Sequence, residues 1–336
     1  MKPLLLTLLL LLAKVATAGP SGLYVFGDSL SDTGNFKLFL GDLYNANFDV
    51  YYNGRFSNGP IYADFLAETF GLSINPSLNN GSNYARGGAT ARDLDEQIDW
   101  FLRVSNNSAP QDGLYIVWIG GNDVRLIVDQ QKEPESIVDT VSDLKNAIVQ
   151  LHTTGARFIL VPTIPDLGLA PYYREIDQTQ STLPDVATEI SVELNLQVET
   201  MLKELALEGI DTIRVDTFDI MREINADPGV YGFTTTDLPC FSGSLLSTDS
   251  STSEICEFPD EYLFWDTLHP TSKAHRIIAD KMIEAIPEIQ RLPQEKWFLG
   301  LDALELVLIC LISTIFRRKQ PPDLRSPLPH TTSGDC

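Results

Sequence analysis

The chain has 336 residues, 43% hydrophobic and 21% charged, which is enough apolar chain for one large core and excludes a disordered protein. Residues 19–300 hold 18 basic against 42 acidic side chains. A body this acidic repels phosphate backbones and anionic lipid heads, so nucleic acid is excluded as an expected partner.

Met1-Lys2, the apolar run Leu4 to Leu12 and Ala16-Thr17-Ala18 make the three parts of a secretory signal peptide. Cleavage is expected after Ala18, in preference to a retained anchor, because the apolar stretch is short. Leu23-Tyr24-Val25-Phe26 reads as a buried strand, and Gly27-Asp28-Ser29 turns the chain out of it. Ser29 then stands at the carboxyl end of a strand, where open α/β sheets bind ligands, and is the candidate nucleophile. The same residues would also serve as a capping turn. Gly41 to Pro60 follows as a loop-like stretch ending in Gly54-Arg55-Phe56-Ser57-Asn58-Gly59-Pro60, whose composition favours a plain connection over a substrate-contacting wall. Pro60 opens a helix carrying Ile61, Phe65, Leu66 and Phe70, and Gly71 stops it.

Asn80-Gly81-Ser82 and Asn106-Asn107-Ser108 are glycosylation sequons, at Asn80 and Asn106. Between them, the paired glycines of Asn83-Tyr84-Ala85-Arg86-Gly87-Gly88-Ala89-Thr90 could bring backbone N–H groups to a ligand, or simply make a turn. Leu114 to Ile119 is a second apolar run, emptying into Gly120-Gly121-Asn122-Asp123. Asn122 there can donate its amide to developing negative charge, or cap a helix. A helix with Ile137, Val138, Val141, Leu144, Ile148 and Leu151 on one face is closed by Gly155, and Arg157 to Val161 is the next strand. A proline-punctuated loop, 162–168, leads to a helix through Ile190, Leu194, Val198, Met201, Leu202 and Leu205, and then to a strand over Thr212 to Val215. This alternation predicts an α/β fold, a three-layer α/β/α sandwich with a mostly parallel central sheet, in one domain over 19–290.

Cys240 and Cys256 bracket a Ser- and Thr-rich loop that a staple would steady, and an exported chain can keep a disulfide, so a Cys240–Cys256 bridge is expected. Cys310 and Cys336 have no obvious partner. Phe264-Trp265-Asp266-Thr267-Leu268-His269-Pro270-Thr271 holds the last candidate chemistry. Pro270 disfavours a helical His269, and in such a turn Asp266 can hold one imidazole nitrogen so that the other takes a serine proton. Of the other histidines, His152 ends a helix, His330 sits in a polar tail and His275 lies within a helix, where packing is the expected role. There is no H-E-x-x-H, no Cys and His cluster and no Ca²⁺ loop pattern, so no metal or cofactor is expected.

Taken together these blocks resemble the GDSL family of SGNH hydrolases. Gly27-Asp28-Ser29-Leu30 is similar to its first block, Gly88 to its glycine block, Gly120-Gly121-Asn122-Asp123 to its G-x-N-D block and Asp266-Thr267-Leu268-His269 to its D-x-x-H block. The resemblance implies a flavodoxin-like fold and an ester hydrolase with Ser29 as nucleophile, His269 as base and then acid, and Asp266 orienting it. The oxyanion would meet the backbone N–H groups of Ser29 and Gly88 and the Asn122 side chain. The wider runs 26–35 and 54–60, with Phe264-Trp265-Asp266, resemble the family's fungal carbohydrate acetylesterases, which implies acetylated plant cell-wall saccharides as substrate. Asp216-Thr217-Phe218 and Tyr231-Gly232-Phe233 are also similar to the bacterial phospholipase and haemolysin branch, so a lipase or phospholipase-type acyl hydrolase is the alternative. A non-catalytic carbohydrate-binding protein is a third, against which the intact set of reactive residues argues. The expected partner is a small-molecule or oligosaccharide ester, and a monomer is expected.

The C-terminal extension, 291–336, departs from the family pattern. Its apolar segment, 299–316, precedes Arg317-Arg318-Lys319 in the order of a stop-transfer signal, but Asp302 and Glu305 interrupt it. The acid-free part, 306–316, is shorter than the ~20 residues that span a bilayer. A soluble extracellular protein is therefore expected, with membrane contact only if that segment anchors.

Overall fold

The computed structural model describes residues 19–40, 48–175, 182–243 and 254–286. The signal segment 1–18, the extension 291–336, Cys310, Cys336 and His330 lie outside the described residues. By contacts the chain divides into two units, 1–295 and 296–336, and the described residues all belong to the first.

Four strands, β1 (Leu23–Gly27), β2 (Leu114–Trp118), β3 (Phe158–Pro162) and β4 (Ile213–Val215), pair in parallel in the order β1-β2-β3-β4. Outside β1, Val25 bridges Asn83 in parallel, with Tyr84 N–H donating to Val25 O and Arg86 N–H to Gly27 O. The spatial order is therefore that of a flavodoxin-like sheet whose second strand is reduced to a single bridge. The edge of this segment that faces away from β1 is covered by a side chain. The Asn35 amide donates to the carbonyls of Asn83 and Ala85, both at 2.8 Å, so a side chain covers backbone groups that another strand would otherwise take.

All five residues of β2 are buried, as both faces of a parallel sheet must be when helices cover them. The helices are α1 (Asn35–Leu40), α2 (Tyr62–Phe70), α3 (Leu94–Val104), α4 (Gly121–Val128), α5 (Ile137–Thr154), α6 (Pro171–Glu175), α7 (Leu183–Leu207), α8 (Thr217–Ala226) and α9 (Ser272–Ala285). α2 packs on α9, while α3 packs on α5 and α5 on α7, giving two helical groups with the sheet as their shared core. Gly71 and Gly155, both at positive φ, end α2 and α5 as expected. α7 begins seven residues before its apolar stripe does. α1, α3, α6 and α8, and the small parallel sheet of β5 (Thr235–Pro239) and β6 (Tyr262–Phe264), were not expected, and α4 begins where a helix cap was the alternative for Asn122. Cys240 and Cys256 form the expected disulfide.

His275 is buried in α9 beside Tyr62, and both of its ring nitrogens lack a hydrogen-bond partner among the described residues. Burial, and then His269, pushes its imidazole down to about 3. The folded chain thus refuses a proton that the unfolded chain takes up below about pH 6.5. The contribution is complete above that pH and is lost as the pH falls towards 3. Burial acts in the opposite sense on Asp28 and Asp32, so the replacement of one residue isolates the effect. His275→Leu is expected to make the stability at pH 8 minus that at pH 5 smaller, in the signed sense, by ~2 kcal/mol relative to wild type. Urea titrations at the two pH values check it, and parallel losses in both proteins would refute it.

Candidate active site

Gly27 ends β1 where no other residue fits, because a Cβ there would lie 2.1 Å from the Trp118 carbonyl oxygen. Its N–H and C=O are both taken by the Gln97 amide of α3, at 2.8 and 2.9 Å, which anchors the point where the chain leaves the sheet. Asp28 then closes a tight turn, its carboxylate accepting from Leu30 N–H at 3.0 Å, and Ser29 faces a cavity of about 330 Å³. Burial pushes the Asp28 carboxyl up to about 7.

His269 reaches Ser29 from the other end of the chain. Its Nε2 lies 2.8 Å from Ser29 Oγ, and its Nδ1 lies 2.8 Å from Asp266 Oδ2. The turn carrying the pair is closed by Trp265 N–H donating to His269 O, and the Leu268 and His269 N–H groups donate to Asp266 Oδ1 at 2.8 and 2.7 Å. Burial pushes the Asp266 carboxyl up. The imidazole of His269 and these two N–H groups outweigh that and hold it below the usual carboxylate value. A carboxylate that stays ionised fixes the Nδ1–H tautomer and leaves Nε2 to accept the serine proton.

The stretch before Pro60 is a wall and brace of this site, which corrects the expectation of a plain connection. Phe56 lines the cavity with its ring 5.0 Å from that of His269. Ser57 Oγ donates to Pro270 O, Asn58 Oδ1 accepts from Ser272 N–H, and Ser272 Oγ donates to Pro60 O, so the run is stitched to the histidine turn. Arg55 is held by a two-pronged pair with Asp64 of α2, at 2.6 and 2.8 Å.

Gly88 and Asn122 line the same cavity. Asp32, fully buried, accepts from the N–H groups of Gly34, Asn35, Phe36 and Gly87, tying the start of α1 to the glycine turn. Neither Ser29 N–H nor Gly88 N–H has a protein acceptor among the described residues. Asn122 Nδ2 donates to Ala89 O at 2.9 Å, which fixes its amide and leaves a second N–H. Asp123, beside it, accepts from Ala91 N–H and Thr140 Oγ1, holding α4 against the same turn. The arrangement provides a hydroxyl, a base on an oriented imidazole and three N–H groups around one space.

Sequence reasoning missed Tyr51, Arg125 and Asp166, all on the cavity wall. Tyr51 donates to Asp266 across 215 positions, a separation at which no sequence spacing links them. Arg125 lies one helical turn beyond Asn122, where the helical period could have placed it near the site. Sequons Asn80 and Asn106 are exposed, while His152 lies in the last turn of α5.

A parallel α/β sheet with a serine at the end of β1, and a histidine and an aspartate brought to it by the turn after β6, defines the class of serine hydrolases. The family model for GDSL-like lipase/acylhydrolase matches residues 23–282, and the chain belongs to that family. It therefore carries a carboxylic ester hydrolase domain. A GDSL esterase/lipase of Arabidopsis thaliana is 28% identical over 78% of this chain and 86% of its own. Phosphatidylcholine-sterol acyltransferase of Aeromonas hydrophila is 28% identical over 82% of this chain and 93% of its own. Lipase 1 of Photorhabdus luminescens is 27% identical over 79% of this chain, which spans only 50% of that relative's length. Among solved structures, an acetylxylan esterase from Geobacillus stearothermophilus is 16% identical, matching 83% of this chain and 100% of its own with a TM-score of 0.48.

Proposed function

We propose that the domain over 19–290 hydrolyses carboxylic esters through an acyl-enzyme on Ser29. The contact that carries this reading is the 2.8 Å approach of His269 Nε2 to Ser29 Oγ, backed by Asp266 on Nδ1. Nε2 accepts the Ser29 proton as Oγ attacks the ester carbonyl, and the oxyanion is met by Ser29 N–H, Gly88 N–H and Asn122 Nδ2–H. His269 then returns the proton to the departing alkoxide. Water, deprotonated by the same nitrogen, releases the acid and restores Ser29. Asn122→Ala is expected to lower kcat by ~10²-fold with KM little changed, because its donor is needed only when charge develops on oxygen. Steady-state kinetics check this, and an unchanged kcat would remove Asn122 from the oxyanion set.

For substrate we infer an acetylated saccharide met outside the cell, the chain being exported by its signal segment and glycosylated at Asn80 and Asn106. Rings such as Phe36 and Phe56 line the cavity together with the partly exposed Arg125, so apolar faces and a hydrogen-bonding group are both available to a sugar ring. A lipid acyl hydrolase is the second reading, favoured by the apolar wall of Leu167, Ala170, Met221 and Leu268 and by the lipase and acyltransferase names among the relatives. A p-nitrophenyl ester series from acetate to palmitate separates them. Each methylene buried in an apolar channel contributes ~0.8 kcal/mol, or about fourfold in kcat/KM. A steep fall by butyrate supports the acetylesterase, and a rise towards long chains supports the lipid hydrolase instead.

A further inference from the structure

Asp266 carries more hydrogen bonds than the Ser29–His269–Asp266 relay alone requires. Its Oδ1 accepts two backbone N–H groups, and its Oδ2, which meets His269 Nδ1, also accepts the Tyr51 hydroxyl at 2.8 Å. Tyr51 cannot easily turn away. It is 4% exposed, with its ring edge-on to Phe56, Phe241 and Trp265. Phe241 follows Cys240, so the disulfide with Cys256 closes the far side of this packing. Burial, and next the charge of Asp266, pushes the Tyr51 phenol far up, so it remains a donor wherever the enzyme works.

We propose that Tyr51 is a positioning residue for the relay: its O–H fixes the Asp266 carboxylate against Nδ1 and limits the basicity of that carboxylate. The inference rests on the catalytic reading above. A carboxylate that loses a donor becomes more basic and stabilises an imidazolium beside it more strongly, so His269 would take up its proton at higher pH. Tyr51 thereby widens the acidic range over which His269 is unprotonated and able to act as base. Among the described residues, the other ionisable groups around His269 are Asp28 from the β1 turn and His275 from α9, with Arg125 and Asp166 on the shared cavity wall. Tyr51→Phe leaves all of these in place.

The test is an NMR titration of isotope-labelled histidines in a Ser29→Ala background, with and without Tyr51→Phe, in a chain that has only four histidines to assign. Tyr51→Phe is expected to raise the His269 midpoint by ~0.5–1 pH unit. The acid limb of kcat/KM in the Ser29 enzyme should move by a similar amount, with a several-fold fall in kcat and little change in KM. A second variant carries 3-fluorotyrosine at position 51, which packs as tyrosine does and is a stronger donor. It is expected to move the midpoint down. Should Tyr51→Phe not fold, this second variant decides alone. A midpoint that does not move, or that moves the opposite way, overturns the role of Tyr51. Retention of wild-type hydrolysis by Ser29→Ala would instead overturn the catalytic reading.

Discussion

Ser29→Ala is expected to lower kcat by ~10⁴–10⁶-fold while the fold and the melting temperature stay within a degree or two of wild type. The alanine removes only the oxygen that His269 Nε2 meets at 2.8 Å, and Ser29 makes no other side-chain hydrogen bond among the described residues. The backbone N–H groups of residues 29 and 88 remain, so residual rate above the uncatalysed reaction should persist. The serine and histidine act as one unit, so Ser29→Ala combined with His269→Ala should be scarcely worse than either alone. Additive losses in that pair, or wild-type activity in Ser29→Ala, would show that the hydroxyl is not the nucleophile. Burst kinetics with p-nitrophenyl acetate supply the second check, because formation of an acyl-enzyme that accumulates releases one equivalent of p-nitrophenol before the steady state and the variant cannot.

Asp32→Ala should be the most damaging substitution outside the reacting groups. The Asp32 carboxylate accepts four backbone N–H groups at 2.6 to 2.9 Å with no exposure to solvent. Removing it strands buried donors, each costing ~1–3 kcal/mol unless water enters, so a loss of ~3–6 kcal/mol in unfolding free energy is expected. The damage should also reach catalysis. Gly87 is one of the four donors, and Gly88, which follows it, is then no longer held at the edge of the cavity. Among molecules that remain folded at low temperature, kcat should fall by ~10-fold or more, since an oxyanion donor works only when preorganised. Chemical denaturation and kinetics at 10 °C measure the two separately. A large stability loss with kcat unchanged would mean that the glycine turn is held without Asp32.

Much of this protein was legible from its residues because the governing forces are local. Leu114 to Trp118 is uniformly apolar because both sheet faces are covered, and the stripe through Ile137, Leu144 and Leu151 repeats at the helical period because one face of α5 meets the core. Ser29, Asp266 and His269 stood out as candidates because each follows a strand or turn whose sequence forces the chain outward, whereas Gly88 and Asn122 were singled out by the resemblance of their blocks to the family's motifs. α3 and α8 carry the same kind of stripe in Leu94, Ile98, Phe101 and Leu102 and in Ile220, Met221 and Ile224, so their signal was present at shorter length.

Long-range pairs had no such signal. Gln97 on Gly27, Asn35 on the carbonyls of residues 83 and 85, Ser57 on Pro270 and Tyr51 on Asp266 are single hydrogen-bonding side chains that meet partners 48 to 215 positions away. Nothing in the neighbourhood of either member marks the match. The sequence by itself determined the four strands of the central sheet, the longer helices between them, the candidate site residues and the Cys240–Cys256 pairing, because propensity, periodicity and turn chemistry act over a few residues. Only the tertiary structure decided which buried polar groups brace those reacting residues, because a buried donor must take whichever acceptor the packed chain brings within 3 Å of it.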